Sequence, residues 1–436
     1  MKPSSVTLSD MLDARERRAN AQAELLAQAG GCLVSLSLNI AGDVKRTQKT
    51  RLLFDRGMRD FASLGFPEKT RRITDAITGT EALILLDAPA ETVKQATERL
   101  EDAYPAARLF DFDVLNARGE KLSRSIPRRC LVCDGPAAVC ARSRAHGLDA
   151  IKTVTEALLD GFCADMLAEA AHRALLSELH TTPKPGLVDE ANNGAHTDMD
   201  VQLFERSADT LVPYFKTAAQ CGLKGTDMSL LKANGRQAEC EMFSATHGVN
   251  THKGIVYSMG LLLYGMGHAL TFGGGAVECA AALAKTDAAE RLARAEAERD
   301  TNGAKVYAAF GAAGAVGEAM RGFPHAVFCA DRLQSYRKQG KETAGALALC
   351  DTMAILEDTN LLHRGGREGL SFAQTEAKRI EALPEEERIA ALEALDAAMI
   401  AKRLSPGGSA DMLALAYLID AWRALSNNLA LGEVRV

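Results

Sequence analysis

The feature that most limits how this chain can fold is a change of period near residue 155. Before it, short stretches alternate apolar and polar residues, as a half-buried strand requires; after it, apolar residues recur every three or four positions, the period of a helix. CLVSLSLNI (Cys32–Ile40) alternates and ends in the turn Ala41-Gly42-Asp43, while ALILLDA (Ala82–Ala88) and RLFDFDVL (Arg108–Leu115) read as two further strands. Helical patterns over Thr7–Gln28 and Glu91–Asp102 lie among them, so residues 1–155 are expected to form an α+β domain. IKTVTEALLDGFCADMLAEAAHRALLSEL, ECAAALAKTDAAERLARAEAE and EEERIAALEALDAAMIAKRL are rich in Ala, Leu and Glu, which predicts an all-α domain over 156–436. At 436 residues the chain is long enough for two cores.

Apolar residues at 47% and charged ones at 25% are globular proportions and exclude a disordered chain. The formal charge of −6 divides into +4 for residues 1–155 and −10 for the rest. A mildly basic first part suits an acidic partner or a polyphosphate, and without interleaved aromatic and basic residues it does not argue for nucleic acid. The N-terminus has no apolar core of signal-peptide type, and Gly, His or charge interrupts the longest apolar stretches. The expectation is a cytoplasmic protein with no membrane span. Ten scattered cysteines fit a reducing compartment.

In the first part, Asp111-Phe112-Asp113 lies within a strand pattern, so both carboxylates should share one face with Phe112 on the other. Two hard oxygen ligands pointing the same way suit Mg²⁺ on a triphosphate; an exposed strand edge carrying two acids is the plainer alternative. Arg108, Arg124, Arg128, Arg129, Arg142 and Arg144 cluster around and after the pair, either as a solvated surface or as a clamp for pyrophosphate. Cys130, Cys133, Cys140 and His146 offer four possible zinc ligands. Their spacing is not that of a common zinc module and the segment is short, so free thiols and sub-stoichiometric zinc are expected.

In the second part, four polar loops interrupt the helices, and eight of the nine histidines follow residue 170. The first holds Lys184 on a stiff Pro-Lys-Pro-Gly turn and adds Asp189, His196, Asp198 and Asp200. A helix start at Thr197 or Asp198 would leave amides for a phosphate and acids for Mg²⁺, or the same residues would simply cap the helix. The second holds Asn250, His252 and Lys253, the third His363, Arg364, Gly365 and Gly366, and the fourth Gly407, Gly408, Ser409 and Asp411. Four such loops in one helical domain point to a shared polar cleft.

These segments resemble two known families. MLDARERRANAQAELL, LVSLSLNIAG, ARLFDFDVLN, LSRSIPRRCLVC and CARSRAHGLD resemble the citrate lyase holo-acyl-carrier-protein synthases over residues 8–155. That resemblance implies a nucleotidyltransferase-type reaction: a serine of the citrate lyase acyl carrier protein (γ) subunit attacks the α-phosphate of a triphosphoribosyl group and pyrophosphate leaves. Asp111 and Asp113 would be the metal-binding pair. A nucleotidyltransferase-like fold is implied too, although no Gly-Ser helix start stands upstream.

ELHTTPKPGLVDEANNGAHTDMD, LFERSADTLVPYF, GVNTHKGIVYSMGLLLYG, DTNLLHRGG and LSPGGSADMLALAYLID resemble the triphosphoribosyl-dephospho-coenzyme A synthases over about residues 160–425. The family joins ATP to 3′-dephospho-coenzyme A, the ribose 2′-hydroxyl displacing adenine. On that reading Asp198 and Asp200 hold metal, and Lys184, Lys253 and Arg364 hold phosphates. Asp189, His196, His252 and His363 are the candidates for proton transfer. The two resemblances are to consecutive steps of one pathway and imply a bifunctional transferase. The rivals are the same chemistry for a malonate decarboxylase carrier, or a nucleotide-binding interaction protein without turnover.

Overall fold

A computed structural model describes residues 4–28, 31–298, 302–340 and 342–431. They fall into two compact units, one holding the chain up to Cys163 and the end of the last helix from Ser426, the other holding Ala164–Leu425.

The first unit runs α1 (Leu8–Gln28), β1 (Cys32–Leu38), α2 (Gln48–Ala62), β2 (Glu68–Ala76), β3 (Gly79–Leu86), α3 (Ala90–Glu101), β4 (Phe110–Leu115) and α4 (Ala137–Ser143), then enters α5 (Leu148–Leu179). Its strands form an antiparallel sheet in the order β2-β3-β1-β4. The α+β expectation holds. Three elements of this unit escaped the sequence reading: β2, α2 and the short α4. EKTRRITDA forms the edge strand β2, whose partly or fully exposed residues gave it no apolar alternation. In α2, a capping box between Thr47 and Thr50 sets the start.

One face of the sheet packs Leu33, Leu83, Leu85 and Leu115 with Leu25 of α1. The other buries Phe110 and Phe112, with Phe61 of α2 stacked on Phe112 at 5.8 Å. This alternation turns Asp111 and Asp113 away from the phenylalanines, opposite Ser37 and Ser35 of β1. The first half of α5 is tied in by buried Lys49, which pairs with Glu156 and, at 2.8 Å, Asp160. The boundary expected near residue 155 therefore falls inside a continuous helix, and the compact units divide after Cys163.

The second unit contains α6 (Val201–Lys224), α7 (Met228–Ala245), α8 (Lys253–Phe272), α9 (Ala276–Glu298), α10 (Asn302–Phe310), α11 (Gly314–Met320), α12 (Pro324–Lys338), α13 (Ala344–Met353), α14 (Thr359–Glu381), α15 (Glu385–Ala401) and α16 (Gly407–Leu431). It is all-α among the described residues, as expected. The helix α8 is its centre, packed between α6 and α9. Contrary to the expectation that charge and glycine interrupt every apolar stretch, α8 is long and apolar enough to cross a membrane by length and composition. Of its apolar window, 78% is buried inside the protein, so packing accounts for that composition.

Close approach of α6 to α8 depends on Gly222, where an added Cβ would lie 1.9 Å from the carbonyl oxygen of Tyr264. We expect Gly222→Ala to destabilise the helical unit by about 2 kcal/mol or more, because backbone cannot yield as a side chain does. Gly161→Ala, in α5 with open space around it, should be neutral or stabilising by about 0.5–1 kcal/mol. Denaturant unfolding of the two variants checks the contrast.

Candidate active sites

In the helical unit the four polar stretches expected as loops line one cleft of about 1330 Å³, although two of them prove helical: His363, Arg364, Gly365 and Gly366 lie within α14, and Gly407, Gly408, Ser409 and Asp411 within the first turns of α16. That exceeds the usual range of about 300–1,000 Å³ for small-molecule sites and gives room for more than one nucleotide. Lys184, His196 and Asp198 of the first stretch, Asn250, His252 and Lys253 of the second, His363 and Arg364 of the third, and Gly407, Gly408 and Asp411 of the fourth all reach it.

Asp358 fixes two of these stretches against each other. Its Oδ1 accepts the amides of Asn360 and Leu361 at 2.8 and 3.2 Å, capping α14, and its Oδ2 accepts the amide and hydroxyl of Ser409 at 2.8 and 2.9 Å, at the start of α16. Gly407 and Gly408 permit that approach: an added Cβ would stand 2.1 Å from Asn360 Nδ2 and 3.0 Å from the Asp358 carboxyl carbon. Arg364 then bridges the first and fourth stretches, donating to the carbonyls of Ala195 and Arg403 and to His196 Nδ1 at 3.2 Å. With Nδ1 an acceptor, His196 donates through Nε2 to Ser405 Oγ at 2.9 Å. Burial and the adjacent Arg364 hold its pKa below the usual value and keep it neutral.

His252, the N-cap of α8, is 6% exposed, with Nδ1 2.7 Å from Ser207 Oγ and Phe204 edge-on to the ring. Burial, then the positive charge of Lys184, depress its pKa to about 3. Among the described residues no group bonds its Nε2. Asp411 approaches the first turn of the same helix, its Oδ2 2.7 Å from where a Cβ on Gly254 would sit. Burial pushes its carboxyl well above the ordinary value, and Glu178 and Asp358 push it further.

Other expected residues do local work. Lys184 Nζ, 2% exposed, is spent on Glu178 at 2.6 Å. Asp189 does not reach the cleft, because its carboxylate accepts the amides of Lys184, Ala191 and Asn192 and so shapes the loop. Asp200 is the N-cap of α6, accepting from Leu203 at 2.8 Å, so that helix starts at Val201 and not at Thr197 or Asp198. Gly365, Gly366 and Ser409 lie behind the lining, and Gly366 breaks α14 with φ +60°. The sequence reading missed the lining residues Glu178, Arg236, Glu239 and Arg291 on helices and Arg321 at the C-cap of α11. Arg236 and Glu239 stand three apart on one face of α7, a signal that could have marked a polar helix face but not its direction.

The first unit carries its own polar group. Asp111 and Asp113 share one face of β4, where Arg128 Nη2 lies 3.3 Å from Asp111 and Lys121 Nζ 2.6 Å from Asp113. Buried Glu101 accepts the amide of Phe112 at 2.8 Å and pairs with both Arg124 and Arg128, which sets the Arg128 guanidinium beside Asp111, while Arg124 pairs also with Asp102. Arg108 donates to the carbonyl of Cys130 at 3.0 Å and faces Asp134. Arg129, Arg142 and Arg144 are exposed and do not touch the acid pair.

A cleft lined by cations and acids alike around a neutral imidazole in a helical unit, in tandem with carboxylates beside an arginine, has the groups that a transferase acting on phosphorylated substrates needs. Residues 6–162 match the family described as apo-citrate lyase phosphoribosyl-dephospho-CoA transferase (CitX), and residues 164–429 the family described as ATP:dephospho-CoA triphosphoribosyl transferase (CitG). Protein CitXG of Haemophilus influenzae is 34% identical over 96% of this chain and 97% of the relative. Protein CitXG of Leuconostoc mesenteroides is 30% identical over 95% and 97%. The 2-(5''-triphosphoribosyl)-3'-dephosphocoenzyme-A synthase of Haemophilus ducreyi is 35% identical over 65% of this chain and 97% of its own length. The chain belongs to the CitXG family, in which both domains are fused, and it is a bifunctional transferase of citrate lyase prosthetic-group synthesis.

The depressed pKa of His252 has a sign that stability measurements can read. The unfolded imidazole takes a proton near pH 6.5 and the folded one only near pH 3, so the unfolded state binds the extra proton between them. Its contribution is complete above pH 6.5 and falls as pH drops below that value. We expect a cost of about 2 kcal/mol between pH 7 and pH 5, absent in His252→Asn. Unfolding followed through Trp422, the sole tryptophan, compares the two proteins at both pH values.

Proposed function

We propose that the helical unit joins ATP to 3′-dephospho-coenzyme A, giving 2′-(5″-triphosphoribosyl)-3′-dephospho-coenzyme A and adenine. The first unit then transfers the phosphoribosyl-dephospho-coenzyme A group to a serine of the citrate lyase γ subunit, releasing pyrophosphate, with the whole enzyme acting in the cytoplasm. The observation that carries the first step is the convergence of two polar loops and the first turns of α14 and α16 on one cleft, with two titratable groups whose pKa values are displaced in opposite directions.

In that cleft the ribose 2′-oxygen attacks the anomeric carbon of ATP as the bond to adenine breaks, through an oxocarbenium-like transition state. His252 Nε2 takes the hydroxyl proton. Its imidazole is a weak base alone, and the negative triphosphate beside it raises its pKa, so base strength arrives with the substrate. Asp411, kept protonated by burial and by its acidic neighbours, donates to the departing adenine. Arg364 and Lys253, with Arg236 and Arg321, face the triphosphate.

The Asp111–Asp113 pair fits Mg²⁺, since that ion ordinarily takes one or two protein carboxylates and completes its shell with water and phosphate oxygens. Bound there, it would neutralise charge developing on the triphosphate. Arg128, already at Asp111, and Arg124 are placed to receive the leaving pyrophosphate. In the cleft Asp198 remains a candidate metal ligand, whereas Asp200 is committed to its helix.

Chromatography of adenine and of the coupled product tests the reading. Adenine should appear only with 3′-dephospho-coenzyme A present, need no carrier protein, and fall at least about a hundredfold in His252→Ala or Asp411→Asn. Coenzyme A bearing its 3′-phosphate should be a poor acceptor, because the dianion adjoins the attacking oxygen. Adenine released at the same rate without an acceptor would make the cleft a nucleosidase and overturn the reading.

Asp111→Asn should abolish labelling of the citrate lyase γ subunit and leave adenine release intact. Equal loss of both reactions would show that the acid pair does not serve the second transfer alone. Labelling of a malonate decarboxylase carrier in preference to the γ subunit would reassign the partner.

A further inference from the structure

The segment after β4 holds an arrangement that neither transfer reaction uses. From Asn116 to Gly147 the sole buried residue is Cys130, and α4 within it buries nothing. A stretch of this length with no core of its own needs a cross-link to keep one conformation. Arg124 and Arg128 tie its first half to buried Glu101, but beyond Arg128 the pair Arg108–Asp134 lies at the surface, where such pairs are worth about 0–1 kcal/mol.

The cross-link is in the side chains. One ligand-type atom from each of Cys130, Cys133, Cys140 and His146 lies within 4.8 Å of the other three. Cys133 Sγ stands 3.6 Å from Cys140 Sγ and 3.2 Å from His146 Nε2. Zinc bonds of about 2.3 Å to sulfur and 2.0 Å to nitrogen put tetrahedral S···S edges near about 3.8 Å and S···N edges near about 3.5 Å. These two separations lie within about 0.3 Å of those edges, while a disulfide would require sulfurs about 2.05 Å apart.

Two turns supply the four atoms in pairs. The first is closed by the Cys130 amide on the carbonyl of Gly135 at 2.7 Å, with Asp134 left-handed at φ 57°. Within it the amide of Val132 donates to Cys130 Sγ at 3.4 Å, a contact that favours thiolate. The second is the end of α4, where left-handed Arg144 and the Ala145 amide on the carbonyl of Cys140 bring His146 back to the sulfurs.

We propose that Cys130, Cys133, Cys140 and His146 bind one structural Zn²⁺. The sequence expectation of free thiols is reversed because unfamiliar spacing says nothing about how two turns fold together. All four ligands come from the chain, so the site is closed and the metal does no catalysis. Its effect is positional: it anchors the segment two residues after Arg128, whose guanidinium touches Asp111 and Glu101.

Full-length protein purified under reducing conditions without chelator should carry about one zinc per chain by mass spectrometry of the metal, and Cys133→Ser less than about a fifth of that. Cys240→Ser, which removes an exposed thiol in α7, should keep it. Should Cys133→Ser fail to fold, wild-type protein stripped of metal and given Co²⁺ alone should still develop the visible absorption of tetrahedral cobalt thiolate. Less than about a fifth of a zinc per chain without that absorption, or a Cys133–Cys140 disulfide in anaerobically prepared protein, would overturn the proposal.

Discussion

Asp358 is the point on which the helical unit's cleft depends. A buried carboxylate is costly unless its oxygens are satisfied, and this one accepts four hydrogen bonds, two from the first turn of α14 and two from Ser409 at the start of α16. Both helix starts carry a partial positive charge and unsatisfied amides, so one anion between them answers two demands at once. The geometry leaves no room for side chains at Gly407 and Gly408, which explains why glycine stands there. It also joins α14, which carries His363 and Arg364, to α16, which carries Asp411, and all three line the cleft.

From that joint the electrostatics of the cleft follow. Arg364 reaches across to the first loop and fixes the tautomer of His196. Asp411 already has Glu178 and Asp358 as neighbours and cannot easily take a negative charge as well. Lys184 neutralises Glu178 and at the same time helps keep His252 uncharged. Burial makes each of these couplings stronger than it would be at the surface.

The first unit uses Glu101 in a similar way. Its carboxylate is buried behind β4, takes the Phe112 amide, and draws Arg124 and Arg128 toward the strand that carries the acid pair. Without it, the guanidinium groups and the exposed carboxylates would each be free to face solvent. The same arginine-bearing segment then turns into the cysteine knuckle, so the position of Arg128 is held from both sides.

The sequence by itself determined the two-part organisation, because periods of two and of 3.6 are local properties that survive in the amino-acid order. It determined the alternation that turns Asp111 and Asp113 to one face, and it marked four polar stretches, of which the first two are loops while the third and fourth form the first turns of α14 and α16. It left β2 hidden, since an edge strand with few buried residues has little apolar pattern. Tertiary structure alone decided that Asp189 and Asp200 serve the backbone while Asp411, on α16, serves the cleft: all three are aspartates in polar stretches of the sequence, and only what folds against each one distinguishes them. The helix-borne Glu178, Arg236 and Glu239 entered the site for the same reason, and so did the meeting of Cys130, Cys133, Cys140 and His146. Which atoms come within a few ångströms of one another depends on how distant turns and helices pack, and linear spacing does not carry that information.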